Sequence, residues 1–186
     1  MFAQMYDDFE LIQTERLDLY CLTATELFVM GTDPEMFRAR SFLNPYEVIS
    51  GEDLPRENRV ADVRANPDNI RWYFRAIVDR SRNLVVGSTS FHGGPDERGM
   101  VEIGLGIHQS EQGKGFATEA VAGMWSWAAT QPSVKFLRYT VDPNNGPSIS
   151  VINKLGVPQI GEQMDEVDGL EFVFEISVSD YLGSKK

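Results

Sequence analysis

Gln112-Gly113-Lys114-Gly115-Phe116-Ala117 is the stretch of this chain best suited to hold an anion. It follows a strand-like run, Met100 to His108, and opens a helix-like run that continues to about Thr130. A glycine-rich turn at such a junction gathers backbone N–H groups at the positive end of a helix, where phosphate or pyrophosphate binds. A nucleotide P-loop would need Ser or Thr after Gly113-Lys114 to hold Mg²⁺, and Gly115 stands there instead. A dinucleotide fingerprint would need its glycines at the head of a βαβ helix, whereas Gly104 and Gly106 lie inside the strand, behind a meander. A tight turn that binds nothing is the remaining alternative.

Two further groups flank that turn. Along Met100–His108, alternation puts Met100, Glu102, Gly104, Gly106 and His108 on one face and Val101, Ile103, Leu105 and Ile107 on the other. The first face therefore carries a carboxylate followed by two bare positions, a place where a ligand, a packed helix or an aromatic ring could approach. Asp142-Pro143-Asn144-Asn145-Gly146-Pro147-Ser148 joins a strand to a helix, with Asn145 and Ser148 suited to capping or to facing the gap beside the strand ends. His92, next to Gly93-Gly94, reads as a surface turn residue, and Cys21 as a buried strand residue. Two histidines and one cysteine make no recognisable metal spacing. Trp72, Trp125 and Trp127 read as core or interface residues.

The elements that must position these residues follow from periodicity. A strand is expected within Glu10–Cys21, a short helix over Thr23–Met30, and a helix start at Asp33-Pro34. Ser41–Asn69 is weakly patterned. Ile70–Val78, Leu84–Phe91 and Met100–His108 read as an antiparallel meander. A helix over Phe116–Thr130, a strand over Val134–Val141 and a helix over Pro147–Leu155 follow, and Gln159–Glu166 and Leu170–Val178 form a hairpin around Asp168-Gly169. This order predicts one mixed α/β (α+β) domain over residues 1–186.

The composition, with 42% apolar and 24% charged residues, is that of a globular chain. No apolar run is long enough to cross a bilayer, no basic leader precedes one, and a single cysteine cannot form an internal disulfide, so a reducing cytoplasm is expected. A net charge of −11 argues against general nucleic-acid binding and suits a cationic small partner, although acidity also serves solubility.

Several motifs agree with one family. Thr14-Glu15-Arg16-Leu17-x-Leu19 resembles the opening strand of Rim-type ribosomal-protein N-terminal acetyltransferases, a branch of the GNAT superfamily. Glu102-Ile103-Gly104, then Gln112 to Ala120, then Asn145-x-x-Ser148-x-x-Val151-x-x-Lys154-Leu155-Gly156 resemble the same branch in the same order. The resemblance implies a sheet of about seven strands with helices on both faces, splayed between Met100–His108 and Val134–Val141 to admit acetyl-CoA. It implies that Ile107, His108 and Gln109 bind the pantetheine arm, and that Gln112, Gly113, Lys114, Gly115, Phe116, Ala117 and Thr118 cradle the pyrophosphate. Asn145 and Lys154 complete the cofactor set. It makes Glu102, directly or through water, the candidate base, and Ser148 or water the candidate donor to the leaving thiolate. It leaves a homodimer open. Tyr20 replaces a usual Arg, Gly156-Val157 a usual Gly-Phe, and Leu105-Gly106 a usual aromatic pair. Ile152 stands where many relatives carry an acidic tyrosine. The implied reaction is acetyl transfer to a primary amine, with a catalytically silent acyl-CoA-binding domain as the alternative.

Overall fold

The computed structural model describes residues 10–23, 26, 42–48, 56–166 and 168–184. The helix start at Asp33-Pro34 lies outside them. Of the helix expected over Thr23–Met30, only Thr23 and Glu26 are described, and they form a reciprocal cap: the Glu26 N–H donates to Thr23 Oγ1 at 3.1 Å and the Thr23 N–H to Glu26 Oε2 at 2.6 Å.

The elements run β1 (Ile12–Gln13), β2 (Leu17–Cys21), α1 (Arg56–Ala65), β3 (Arg75–Asp79), β4 (Leu84–Phe91), β5 (Met100–Ile107), α2 (Phe116–Ala128), β6 (Phe136–Val141), α3 (Gly146–Lys154), β7 (Gln159–Asp165), β8 (Gly169–Ser177) and α4 (Val178–Gly183). The sheet has eight strands in the order β1-β2-β3-β4-β5-β6-β8-β7, the two-residue β1 adding one to the expected seven. All neighbours are antiparallel except β5 and β6.

Each sheet face has its own core, because strand side chains alternate. Leu17, Leu19, Ile77, Val101, Ile103 and Leu137 pack with Ala120, Met124 and Trp125 of α2, Ile152 of α3 and Tyr181 of α4. Leu22, Ala76, Val78 and Val85 pack on the opposite face with Val60 and Val63 of α1. Trp72 and Trp125 are core residues, and Cys21 is buried.

Three local expectations change. The strand expected from Ile70 begins only at Arg75: Asn66 accepts from the Asp68 N–H, Pro67 opens the turn, and Pro67–Trp72 closes as a 3₁₀ helix. Capping chemistry there overrides the period-two pattern. The strand expected to reach Val178 ends at Ser177, whose hydroxyl accepts from the Asp180 N–H and starts α4. The helix expected to reach Thr130 ends at Ala128.

Candidate active site

The two parallel strands at the centre of the sheet part company. β5 pairs with β6 only through Met100↔Phe136, Val101↔Leu137 and Glu102↔Arg138. Its pairing with β4 continues to Ile107. A side chain at Gly87 would prevent this, since a Cβ there would lie 2.2 Å from the Gly106 carbonyl oxygen. β5 therefore follows β4, and a wedge opens beyond Glu102. A cleft of about 540 Å³ occupies the wedge, between the N-terminus of α2 and the start of α3. Leu105, Ile107, Phe116, Tyr139 and Val151 supply apolar or ring surface; Gln112, Thr118, Asn145, Ser148 and Lys154 supply polar groups.

The Gly-rich turn at the mouth takes its shape from two left-handed glycines, Gly113 at φ 75° and Gly115 at φ 83°. Gly115 is the N-cap of α2 and brings no side chain to the first-turn N–H groups, which leaves them to an anion. Gln112 Nε2 donates to the Ile107 carbonyl at 3.0 Å, so its side chain pins the end of β5 to the turn. A clamp from the N-terminal strands holds the helix start. Thr14 Oγ1 donates to Glu119 Oε1 at 2.6 Å, and the Arg16 N–H does so at 2.7 Å. Arg16 Nε donates to Glu119 Oε2 at 2.7 Å and Nη1 to the Lys114 carbonyl at 3.0 Å. The Arg16 guanidinium also lies 4.8 Å from the centre of the Phe116 ring. Burial pushes the Glu119 carboxyl up, but these donors outweigh it and hold the group below its ordinary value.

Glu111 is the residue of this region that sequence reasoning missed. Its carboxylate is buried and accepts from Arg82 Nη1 at 3.0 Å and Nη2 at 2.6 Å, Lys114 Nζ at 2.8 Å and Tyr46 Oη at 2.9 Å. The hydrogen bonds from Arg82 lower its pKa most; with those from Lys114 and Tyr46 they outweigh burial and bring it to about 2. An acidic residue three positions before Lys114, inside an anion-binding turn, is a readable signal that cations must gather there.

Across the wedge, Asn145 Oδ1 accepts the Ser148 N–H at 3.1 Å and caps α3. Ser148 and Tyr139 of β6 both line the cleft, and Ser148 lies near enough to the Tyr139 phenol to act on its charge. Burial raises the Tyr139 pKa and the Ser148 hydrogen bond only partly offsets it, so the phenol keeps its proton at neutral pH. Tyr139 was also missed, although alternation along β6 turns it with Leu137 and Val141 toward the α2–α3 side.

Glu102 lies on the other face. It shares that face with Ser90, Gly104 and Gly106 by register, and with His92, whose N–H donates to the Glu102 carbonyl at 2.8 Å. Thr140 Oγ1 donates to Glu102 Oε1 at 2.7 Å, and His92 Nδ1 stands 3.3 Å from the same oxygen. His92 is exposed in the bend that follows β4, as expected of a surface turn residue, and it is also the cross-strand neighbour of Glu102. Counting back through the β4–β5 turn would have aligned the two.

The cleft gathers Ile107, Gln112, Gly113, Gly115, Phe116, Ala117, Thr118, Asn145, Ser148 and Lys154 among the residues expected there. It does not gather four others. His108 stacks on Tyr46 at 3.9 Å between ring centres, Gln109 starts a 3₁₀ turn, and the Lys114 ammonium is engaged by Glu111. Glu102 stands across the sheet from it. Among the described residues no group of His, Cys, Asp or Glu is arranged to hold a metal ion, and no helix is long and apolar enough to cross a membrane.

Comparison with known proteins agrees with this arrangement. The family model described as "Acetyltransferase (GNAT) domain" matches residues 16–158. The chain is 26% identical over 155 residues to the uncharacterized N-acetyltransferase p20 of Bacillus licheniformis, covering 82% of this chain and 84% of that one. It is 35% identical over 80 residues to the uncharacterized N-acetyltransferase YjdG of Bacillus subtilis (strain 168), covering 43% of this chain. That match spans about half of YjdG, 48% of its length. The fold is similar to that of Mycobacterium smegmatis RimJ in complex with CoA-disulfide, with a TM-score of 0.61, 15% identity, and coverage of 97% of this chain and 95% of that one.

Proposed function

The chain belongs to the GNAT acetyltransferase family, and from that premise we propose that it transfers the acetyl group of acetyl-CoA to a primary amine by direct attack in a ternary complex. The observation that carries the proposal is the wedge beyond Glu102, open beside the uncapped first turn of α2. The pyrophosphate is held by N–H groups from Gly113 to Thr118, and the pantetheine arm runs along Leu105 and Ile107. A backbone N–H of β5 polarises the thioester carbonyl, the role of an oxyanion donor. The amine arrives on the face of Glu102, opposite the α2–α3 side. It loses a proton there, and the nitrogen forms a bond to the carbonyl carbon. The C–S bond breaks, and Ser148, with Tyr139 behind it, supplies the proton that the thiolate takes up.

The acceptor class is a primary amine, either a protein N-terminus or a small-molecule amine. An α-amine is neutral at roughly the ten-per-cent level at pH 7, a lysine-like amine at about one part in a thousand, so the latter demands more of the base. The net charge of −11 favours cationic acceptors in either case.

Thermal stability with acetyl-CoA and CoA-thiol release against a panel of peptide α-amines, polyamines and aminoglycosides test the proposal. Acetyl-CoA at about a hundred times its Kd stabilises a binding protein by about 2.7 kcal/mol. We expect that stabilisation together with thiol release for at least one amine class. Stabilisation without release from any amine would make the chain an acyl-CoA-binding domain. No stabilisation at millimolar acetyl-CoA would overturn the proposal.

A further inference from the structure

We propose that His92, oriented by Glu102, is the group that takes the proton from the acceptor ammonium. The inference rests on the acetyl-transfer reading and assigns its proton acceptor to an atom. Glu102 Oε1 is occupied: the Thr140 hydroxyl donates to it at 2.7 Å and His92 Nδ1 stands 3.3 Å away. The Glu102 side chain is 16% exposed, whereas that of His92 is 55% exposed. A carboxylate that holds Nδ1–H leaves the lone pair of an imidazole on Nε2, the logic by which a base is fixed in one tautomer by a third group.

The position of that nitrogen is the second observation. A Cβ built on Gly104 would lie 3.1 Å from His92 Nε2, with Cδ2 at 3.8 Å. Nε2 therefore hangs over a bare strand position, two residues past the last β5–β6 pair. This gives the two bare positions of β5 different roles: Gly104 makes room for the imidazole, and Gly106 has nothing within 4 Å of its missing side chain. Nε2 is thus set on the Glu102 face of β5, over the first bare position beyond the last β5–β6 pair.

Several other charged groups among the described residues on this side have partners of their own. Arg59 of α1 donates Nη1 to the Phe91 carbonyl at 2.9 Å and stacks over Tyr73. Arg138 of β6, which shares this face, is bound to Glu175 of β8, as is Arg98 from the β4–β5 turn. Asp96 in the same turn accepts the Arg98 and Met100 N–H groups.

The step balances as follows. His92 Nε2 takes one proton from the ammonium and gives it to water after turnover. The neutral amine forms the C–N bond as the C–S bond breaks. The second amine proton ends, through Ser148, on the departing sulfur. The products are the amide, CoA-SH and one proton in solution.

The test uses the full chain with the amine found active in the thiol-release panel. The enzyme, His92→Gln and His92→Ala are compared from pH 5.5 to 9. We expect His92→Gln to lower kcat/KM for the amine by about 10²-fold or more. The pH profile of kcat/KM should lose its acid limb, and acetyl-CoA stabilisation should match that of the unmodified chain. His92→Ala should regain activity when imidazole is added, which a merely structural role would not produce. Unchanged kcat/KM and an unchanged acid limb in His92→Gln would overturn the inference while leaving acetyl transfer standing. Failure of the unmodified chain to release thiol with any amine would instead strike at the function itself.

Discussion

At the scale of single residues, the proposed transfer gives the departing sulfur two hydroxyls to draw on. Ile152 of α3, the position where the family resemblance implies a tyrosine in many relatives, is fully buried in the core. Tyr139 comes from β6 instead and reaches the cleft beside Ser148. Because burial raises its pKa, the phenol is protonated across the working range and is available to the proposed transfer as a proton donor. Tyr139→Phe and Ser148→Ala are each expected to lower kcat by about tenfold or more with the KM for acetyl-CoA within about twofold. The double variant should lose little beyond the worse single one, since a donor chain fails at its first missing link. Steady-state kinetics on the three proteins checks this, and additive losses would separate the two hydroxyls. The sequence made Ser148 visible because it sits in a capping motif. It hid Tyr139 because a strand aromatic at core spacing has the same pattern whether or not its hydroxyl meets a cleft.

At the scale of elements, two sequence motifs prove to be halves of one contact. Thr14 and Arg16 from the first strands close on Glu119 in the first turn of α2, more than a hundred residues away. Their donors orient the helix whose N–H groups form the anion site. Glu119→Ala is expected to raise the KM for acetyl-CoA roughly tenfold while kcat changes little, because it loosens binding without touching the reacting atoms. Isothermal titration with CoA and steady-state kinetics together check it. Most elements were legible because their periodicity is strong: α2, α3 and the hairpin of β7 and β8 fall within two or three residues of expectation. The Pro67–Trp72 turn was not, since an apolar alternation there coincides with an Asn-Pro cap and the cap prevails. The site was legible where a motif marks backbone geometry, as in Gly113 and Gly115. It was not legible where pairing between distant residues decides a side chain's partner, as with Glu111 and Arg82 or Glu102 and Thr140.

At the scale of the whole molecule, acid stability depends on carboxylates held ionised by the fold. Glu111 is the clearest: its folded pKa of about 2 lies below the ordinary glutamate value of about 4.3. A depressed folded pKa contributes stability that is fully present above the unfolded value and is lost as pH falls through the folded one. Glu111→Gln should lower the melting temperature at pH 7 by roughly 5 °C, the order expected when a buried charge loses its partners. The gap between the two proteins should shrink between about pH 4.3 and pH 2, where the unmodified chain forfeits the same contribution. Calorimetry across that range checks it, and a gap that stays constant with pH would assign the loss to packing.

The parting of β5 from β6 has a further consequence for the molecule as a material. Among the described residues, the strand pairing between the half of the sheet running from β1 to β5 and the half containing β6, β8 and β7 is only three residue pairs long. Beyond them, alternation along β5 turns the backbone amide of Leu105 toward the wedge and away from β4. A guest with peptide-like amides, lying there, would supply rungs that the strands do not give each other. Acetyl-CoA would then be a splint as well as a substrate. The two halves would move as one body when it is seated, and each product release would return the sheet to its narrow seam.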